Sequence, residues 1–133
     1  MKPVVILCMA GLYRRFREAG YTTPKHLLDV GGRTVLQLVV EGLAPNRLLL
    51  IANERDRPHE ASILEAVAAA GVAEVGLRFV TDTSGQAETA AIGAQEALGR
   101  GWTGPILFHN IDTIVRGRDL HAIGELLAKH AGF

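Results

Sequence analysis

The sequence predicts an α/β protein, a three-layer sandwich on a mainly parallel, Rossmann-like sheet, and three observations carry that reading. Val4–Met9 (VVILCM) is an unbroken apolar run of strand length, which suits a strand buried on both faces of a parallel sheet. Similar runs recur at residues 48–52 (LLLIA) and 105–108 (PILF). Segments with helical periodicity separate them, and strands alternating with helices imply right-handed crossovers in one parallel sheet. No internal repeat or low-complexity stretch interrupts the pattern.

After the first strand, Ala10-Gly11 ends the apolar run and the chain passes at once to Arg14, Arg15 and Arg17. A sheet edge thus delivers the chain into a cationic turn. Small residues there let backbone N–H groups approach phosphate oxygens, and arginine adds planar, charge-assisted hydrogen bonds. Pro24-Lys25 then places a second cation on a stiffened turn. Residues 26–30 read as a short extended segment closed by Gly31-Gly32. Thr34 starts a helix with Val35, Leu38, Val39 and Leu43 at helical spacing, and Pro45 ends it. Residues 48–52 are the second strand. Residues 53–58, with Glu54, Arg55, Asp56 and Arg57 in succession, read as a solvated loop.

A helix over 59–70 carries Ile63, Leu64 and Val67 on one side and stops at Gly71. Val75, Leu77, Phe79 and Thr81 alternate with Gly76, Arg78 and Val80 as the third strand. Residues 82–85 form a turn, and 87–98 a helix terminated by Gly99 and Gly101. The fourth strand, 105–108, is left through His109, Asn110, Ile111 and Asp112. A last helix runs from about 119 to 131, with Leu120, Ile123 and Leu127 on its apolar face and with Lys129 and His130 suited to its last turn.

The 133 residues make one domain of ordinary size, spanning 1–133. Fourteen basic and fourteen acidic residues cancel, so no overall field favours nucleic acid or an acidic membrane surface. The single cysteine, Cys8, cannot form an internal disulfide and fits a reducing compartment. Lys2 and the apolar run after it have the rough outline of a signal peptide. The run is short, arginines follow it directly and a small-residue cleavage pattern is missing, so a soluble cytoplasmic protein is expected.

Ligands of an open parallel sheet bind outside the carboxyl ends of its strands. Four features converge there: the loop 11–17, the Pro24-Lys25 turn, the turn TDTSGQAET, and residues 110–112. A magnesium ion held by Asp112 explains a carboxylate beside a phosphate site. A helix or turn cap is the alternative role for Asp112. Five histidines, His26, His59, His109, His121 and His130, form no metal signature by spacing, and Glu88 suits a solvated helix position.

These residues resemble the N-terminal half of the sugar-phosphate nucleotidyltransferases. The carriers are Ala10, Gly11, Arg15 and Phe16 (AG…RF), Pro24 and Lys25, LLDVGGRTVL, SGQAET and NIDTIV. Tyr13 stands where the family usually has a second glycine, and Arg14 where it usually has serine or threonine. The resemblance implies transfer of a nucleotidyl group from a nucleoside triphosphate to a sugar 1-phosphate with release of pyrophosphate, in surface polysaccharide synthesis. It also implies that Ala10, Gly11, Gly85, Gln86 and Ala87 bind the nucleotide. Arg15 then stabilises the leaving pyrophosphate, Lys25 holds the α-phosphate or the sugar phosphate, and Asp112 binds Mg2+.

Complete members of the family are roughly twice this length, so the chain corresponds to a truncated, nucleotide-binding half. Two other functions stay open. One is a catalytically inactive nucleotide-binding remnant or partner subunit. The other is a GT-A glycosyltransferase-like protein, whose DxD motif Asn110-Ile111-Asp112 half provides. Exposed apolar surface on the last strand would favour a homo-oligomer or a partner chain.

Overall fold

Val4–Met9 forms β1, and the alternation of its side chains sets the architecture. Val5, Leu7 and Met9 enter one apolar core, while Val4, Ile6 and half-buried Cys8 enter another. The structure is a computed structural model that describes residues 3–10, 24–81 and 85–111, with the backbone alone at Lys25, Gln86 and Asn110. The expected loop over 11–17 and the expected helix over 119–131 lie outside the described residues.

A short 3-10 turn, Lys25–Leu27, precedes a hairpin of β2 (Asp29–Val30) and β3 (Arg33–Thr34). The segment 26–30 is therefore not extended throughout. His26 lies in the 3-10 turn, and the strand is only two residues long. Gly31 and Gly32 turn the hairpin at φ 66° and 92°, values glycine adopts without steric cost. Helix α1, Val35–Leu43, starts where expected: the Thr34 hydroxyl caps it by accepting from the Gln37 N–H at 3.1 Å. Its buried face is Leu36, Val39, Val40 and Leu43, turned from the expected set, because VLQLVVEGL is apolar on nearly every side.

β4 (Arg47–Asn53) runs into a second 3-10 segment, Glu54–His59, and then helix α2, Glu60–Ala69. The expected solvated loop at 53–58 is thus an ordered turn, in which Asn53 and Asp56 are buried. Helix α2 buries Ile63, Ala66 and Val67 and leaves Leu64 exposed. β5 (Glu74–Val80), helix α3 (Gln86–Gly99) and β6 (Ile106–Asn110) complete the described order. β6 extends past the expected 105–108 because it pairs with β1 as far as Cys8↔Asn110.

The four long strands form one parallel sheet in the order β5-β4-β1-β6. Helices α1 and α2 cover one face with Leu36, Val39, Leu43, Ile63 and Val67. Helix α3 covers the other, where Ile6, Leu49, Ile51, Ala97 and Trp102 pack. The three layers follow from burial on both sides of β1 and β4. Each leucine sealed there is worth roughly 1.5–3 kcal/mol relative to exposure. At the edge, Glu96 accepts hydrogen bonds from Arg78 and Arg100, which hold its carboxyl below the usual range, Arg78 contributing most.

Helix α3 lies close to the sheet because small residues face it: Thr89, Gly93 and Ala97, four apart, are buried. A Cβ on Gly93 would stand 2.7 Å from Ile6 Cγ2 and 3.3 Å from Ile51 Cγ1, both in a filled core. Gly93→Ala gains roughly 1 kcal/mol of helix propensity but overpacks at a cost of roughly 1–3 kcal/mol. The expected net result is a loss of about 1 kcal/mol, read as a lower urea midpoint at unchanged slope, with Gly93→Val losing more.

Candidate functional site

A parallel sheet gathers the carboxyl ends of all its strands on one edge. Ala10 leaves β1 there, Asn53 ends β4, Thr81 follows β5 and Ile111 follows β6. Ala10 is nearly buried and belongs, with Val80, to the core under α3. The register Met9↔Ala52 sets the next pair of residues side by side. Asn53 Nδ2 donates to the Ala10 carbonyl at 3.2 Å, and Asn53 Oδ1 accepts from the Arg55 N–H at 3.0 Å. One buried amide therefore anchors the start of the loop after β1 and caps the turn that continues β4.

Gly85 heads α3 at φ 156°, ψ −177°, a backbone shape essentially confined to glycine. Among the described residues an added Cβ would meet nothing within 4 Å, and the backbone conformation by itself demands glycine here. The Gly85 carbonyl accepts from both the N–H and the hydroxyl of Thr89, each at 3.2 Å. Gln86 opens the helix and Ala87 is exposed in its first turn. Helix α3 packs across β1 and β4, the two central strands. Glu88 is exposed, as its solvated reading requires.

Lys25 opens the 3-10 turn after buried Pro24, and the Leu27 N–H closes that turn on the Pro24 carbonyl at 2.9 Å. The next residue, His26, is fully buried, and its Nε2 lies 3.7 Å from Asp56 Oδ2 in the turn after β4. Burial pushes the His26 imidazole down to about 4, with the charge of His59 adding to the effect. The Asp56 carboxyl stands beyond hydrogen-bond distance of the ring. At neutral pH His26 is uncharged.

Gly11, Arg15 and Asp112 lie outside the described residues. The backbone that leads to Asp112 leaves β6 at Ile111, one strand away from Ala10. His109 is half-buried within β6, opposite Leu7, rather than beyond the strand. Asn53, His26 and Asp56 are the edge residues that the sequence reading missed. An asparagine closing an apolar strand two residues before Arg55 is a legible capping signal; the burial of Asp56 inside a charged string has none. Among the described residues, no group of three or more His, Cys, Asp or Glu side chains is arranged to hold a metal. Nor is any helix among them long and apolar enough to cross a membrane. A separate cleft of about 580 Å³ lies between the hairpin, α1 and α2, lined by Asp29, Gln37, His59 and Glu65 among others, away from Ala10 and Gly85.

No family model matches the chain, and no curated protein does. Solved structures do. The nucleoside-diphosphate-sugar pyrophosphorylase from Vibrio cholerae RC9 superposes with a TM-score of 0.76 at 28% identity, over 87% of this chain and 50% of that one. A protein assigned as a glucose-1-phosphate thymidylyltransferase from Bacillus anthracis, solved in complex with sucrose, shares the fold at a TM-score of 0.73 and 18% identity, over 92% of this chain and 49% of that one. The chain thus spans about half the length of the structures it matches. The fold agrees with the resemblance to the N-terminal half of sugar-phosphate nucleotidyltransferases that the motifs carry.

Two outcomes follow from this geometry. Asn53→Ala leaves the Ala10 carbonyl without its side-chain donor and removes the cap on Arg55, costing about 1–2 kcal/mol in denaturant unfolding. The His26 imidazole titrates near 6.5 when unfolded and about 4 when folded, so the folded state favours the neutral ring. That contribution is complete above 6.5 and is lost as pH falls toward about 4, by up to about 3 kcal/mol. Unfolding free energies between pH 7 and pH 4 should therefore fall more steeply for the native chain than for His26→Leu; parallel curves would contradict the buried neutral histidine.

Proposed function

We propose that residues 1–133 are the nucleotide-binding domain of a sugar-phosphate nucleotidyltransferase, which joins a nucleotidyl group from a nucleoside triphosphate to a sugar 1-phosphate. The observation that carries this reading is the half-length match to a nucleoside-diphosphate-sugar pyrophosphorylase, combined with the order of the family's motifs in the sequence. The products are a nucleoside diphosphate sugar and pyrophosphate, and the setting is cytoplasmic synthesis of surface polysaccharide.

In the reaction, a phosphate oxygen of the sugar 1-phosphate attacks the α-phosphorus. The bond from that phosphorus to the bridging oxygen breaks, and the electron pair leaves with pyrophosphate. No covalent enzyme intermediate is required, so the protein contributes positioning and charge stabilisation. Ala10 and Gly11 bring backbone N–H groups to the phosphates, and Arg15 stabilises the leaving pyrophosphate. Lys25 holds the α-phosphate or the sugar phosphate. Gly85, Gln86 and Ala87, at the start of α3, line the nucleobase.

Asp112 is the carboxylate that would hold Mg2+, an ion that takes one or two carboxylates together with substrate phosphates and water. When bound, the ion neutralises triphosphate charge. A second reading is nucleotide binding without turnover, for which Tyr13 and Arg14 speak, standing where the family usually has glycine and a hydroxyl residue.

Calorimetric titration of the chain with each nucleoside triphosphate, with and without magnesium, tests the proposal. One triphosphate should bind saturably and in a magnesium-dependent way, and Arg15→Ala and Asp112→Ala should each weaken it about tenfold or more, which is roughly 1.4 kcal/mol. Absence of binding to a demonstrably folded chain would overturn it. Binding without pyrophosphate release in the presence of sugar 1-phosphates would select the second reading.

A further inference from the structure

Four polar or charged residues are buried among the described residues: His26, Asn53, Asp56 and Thr89. Asn53 and Thr89 serve nearby backbone groups. His26 and Asp56 instead bring together two segments distant in sequence, the Pro24-Lys25 turn and the turn that continues β4. Placing an imidazole and a carboxylate out of water costs more than filling the same space with an aliphatic side chain. What the polar pair adds is direction.

We infer that His26 and Asp56 form a buried latch that positions the Lys25 turn at the carboxyl edge of the sheet, which makes them positioning residues for the phosphate site. The inference rests on the role proposed above for Lys25.

A three-residue 3-10 turn has poor hydrogen-bond geometry and no ladder of its own, so its location depends on what its side chains grip. Helix α1 packs on one side of this turn. From the same turn His26 stands 3.7 Å from Asp56, and the segment bearing Asp56 is itself capped by Asn53. Asn53 in turn holds the Ala10 carbonyl at 3.2 Å. A continuous path therefore runs from the start of the loop after β1, through Asn53 and the Glu54–His59 turn, to His26 and the backbone of Lys25. The described ends of the two segments expected to meet phosphate, Ala10 and Pro24-Lys25, are thereby linked through buried side chains.

The test uses the whole chain with His26→Leu, His26→Gln and Asp56→Leu, alone and combined with Lys25→Ala. The first measurement needs no ligand: amide hydrogen exchange at Leu27, whose N–H closes the Lys25 turn. His26→Leu and Asp56→Leu should raise its exchange about tenfold or more relative to amides of β1, while His26→Gln, which keeps a neutral polar side chain of similar reach, should not. The second is calorimetric affinity for the preferred magnesium–triphosphate. His26→Leu should weaken binding about tenfold, and the Lys25→Ala, His26→Leu double variant should bind no more weakly than Lys25→Ala alone, since the latch acts through Lys25. Unchanged exchange at Leu27 in His26→Leu overturns the inference. So do strictly additive losses of affinity, which a general structural role would produce. If the native chain binds no triphosphate, the proposed function fails, and the exchange comparison alone decides the latch.

Discussion

Everything else in this molecule depends on the parallel pairing of β1 with a neighbour on each side. A parallel pair cannot be closed by a tight hairpin; it needs a crossover long enough to return the chain to the same end of the sheet. In this chain the returns between β4, β5 and β6 are α2 and α3, and they take opposite faces. Side chains of β1 are consequently sealed on both sides, which is why VVILCM reads as a continuous apolar run and not as an alternating one. The same constraint sends the end of every strand to one edge, where Ala10, Asn53 and Ile111 stand together as neighbours in the sheet.

The strands and helices were legible because their signals are local. β1 runs over the residues its apolar run marks, and Thr34 caps α1 as a threonine before an apolar stretch should. Helix faces were less legible. VLQLVVEGL offers apolar side chains almost all round, and the sheet selects Leu36 and Val40 where spacing alone suggested Val35 and Leu38. In α2 the small Ala66 is buried and the larger Leu64 is not, because the close contact with α1 rewards fit over size. The length of β6 is set by its partner. His109 and Asn110 look like the start of a loop, yet β1 still offers Leu7 and Cys8 opposite them.

For the candidate site the division is similar. Gly85 was legible as the end of a turn before a helix, though not its backbone shape, and the order of short motifs pointed to the fold that the solved structures share. The supports were not legible. Asn53 with Ala10, and His26 with Asp56, meet only after β4 has docked beside β1, so no periodicity or spacing records them. Asp56 shows the difficulty most sharply. Between Arg55 and Arg57 it looks like part of a solvated charged string, whereas Arg57 turns outward to Glu54 and the Phe79 ring and Asp56 turns inward.

The strand order also bears on how the chain is assembled as it is made. β1 emerges first, but both of its partners are later segments: β4 reaches one side after the hairpin and α1, and β6 reaches the other only after α3. The sheet therefore grows toward β5 while the opposite flank of β1 keeps unpaired N–H and C=O groups until residues 106–110 leave the ribosome. Ordered growth in one direction, followed by a single late closure on the other flank, makes the nascent β1 edge the place where a chaperone, or a neighbouring nascent chain, has the longest opportunity to bind.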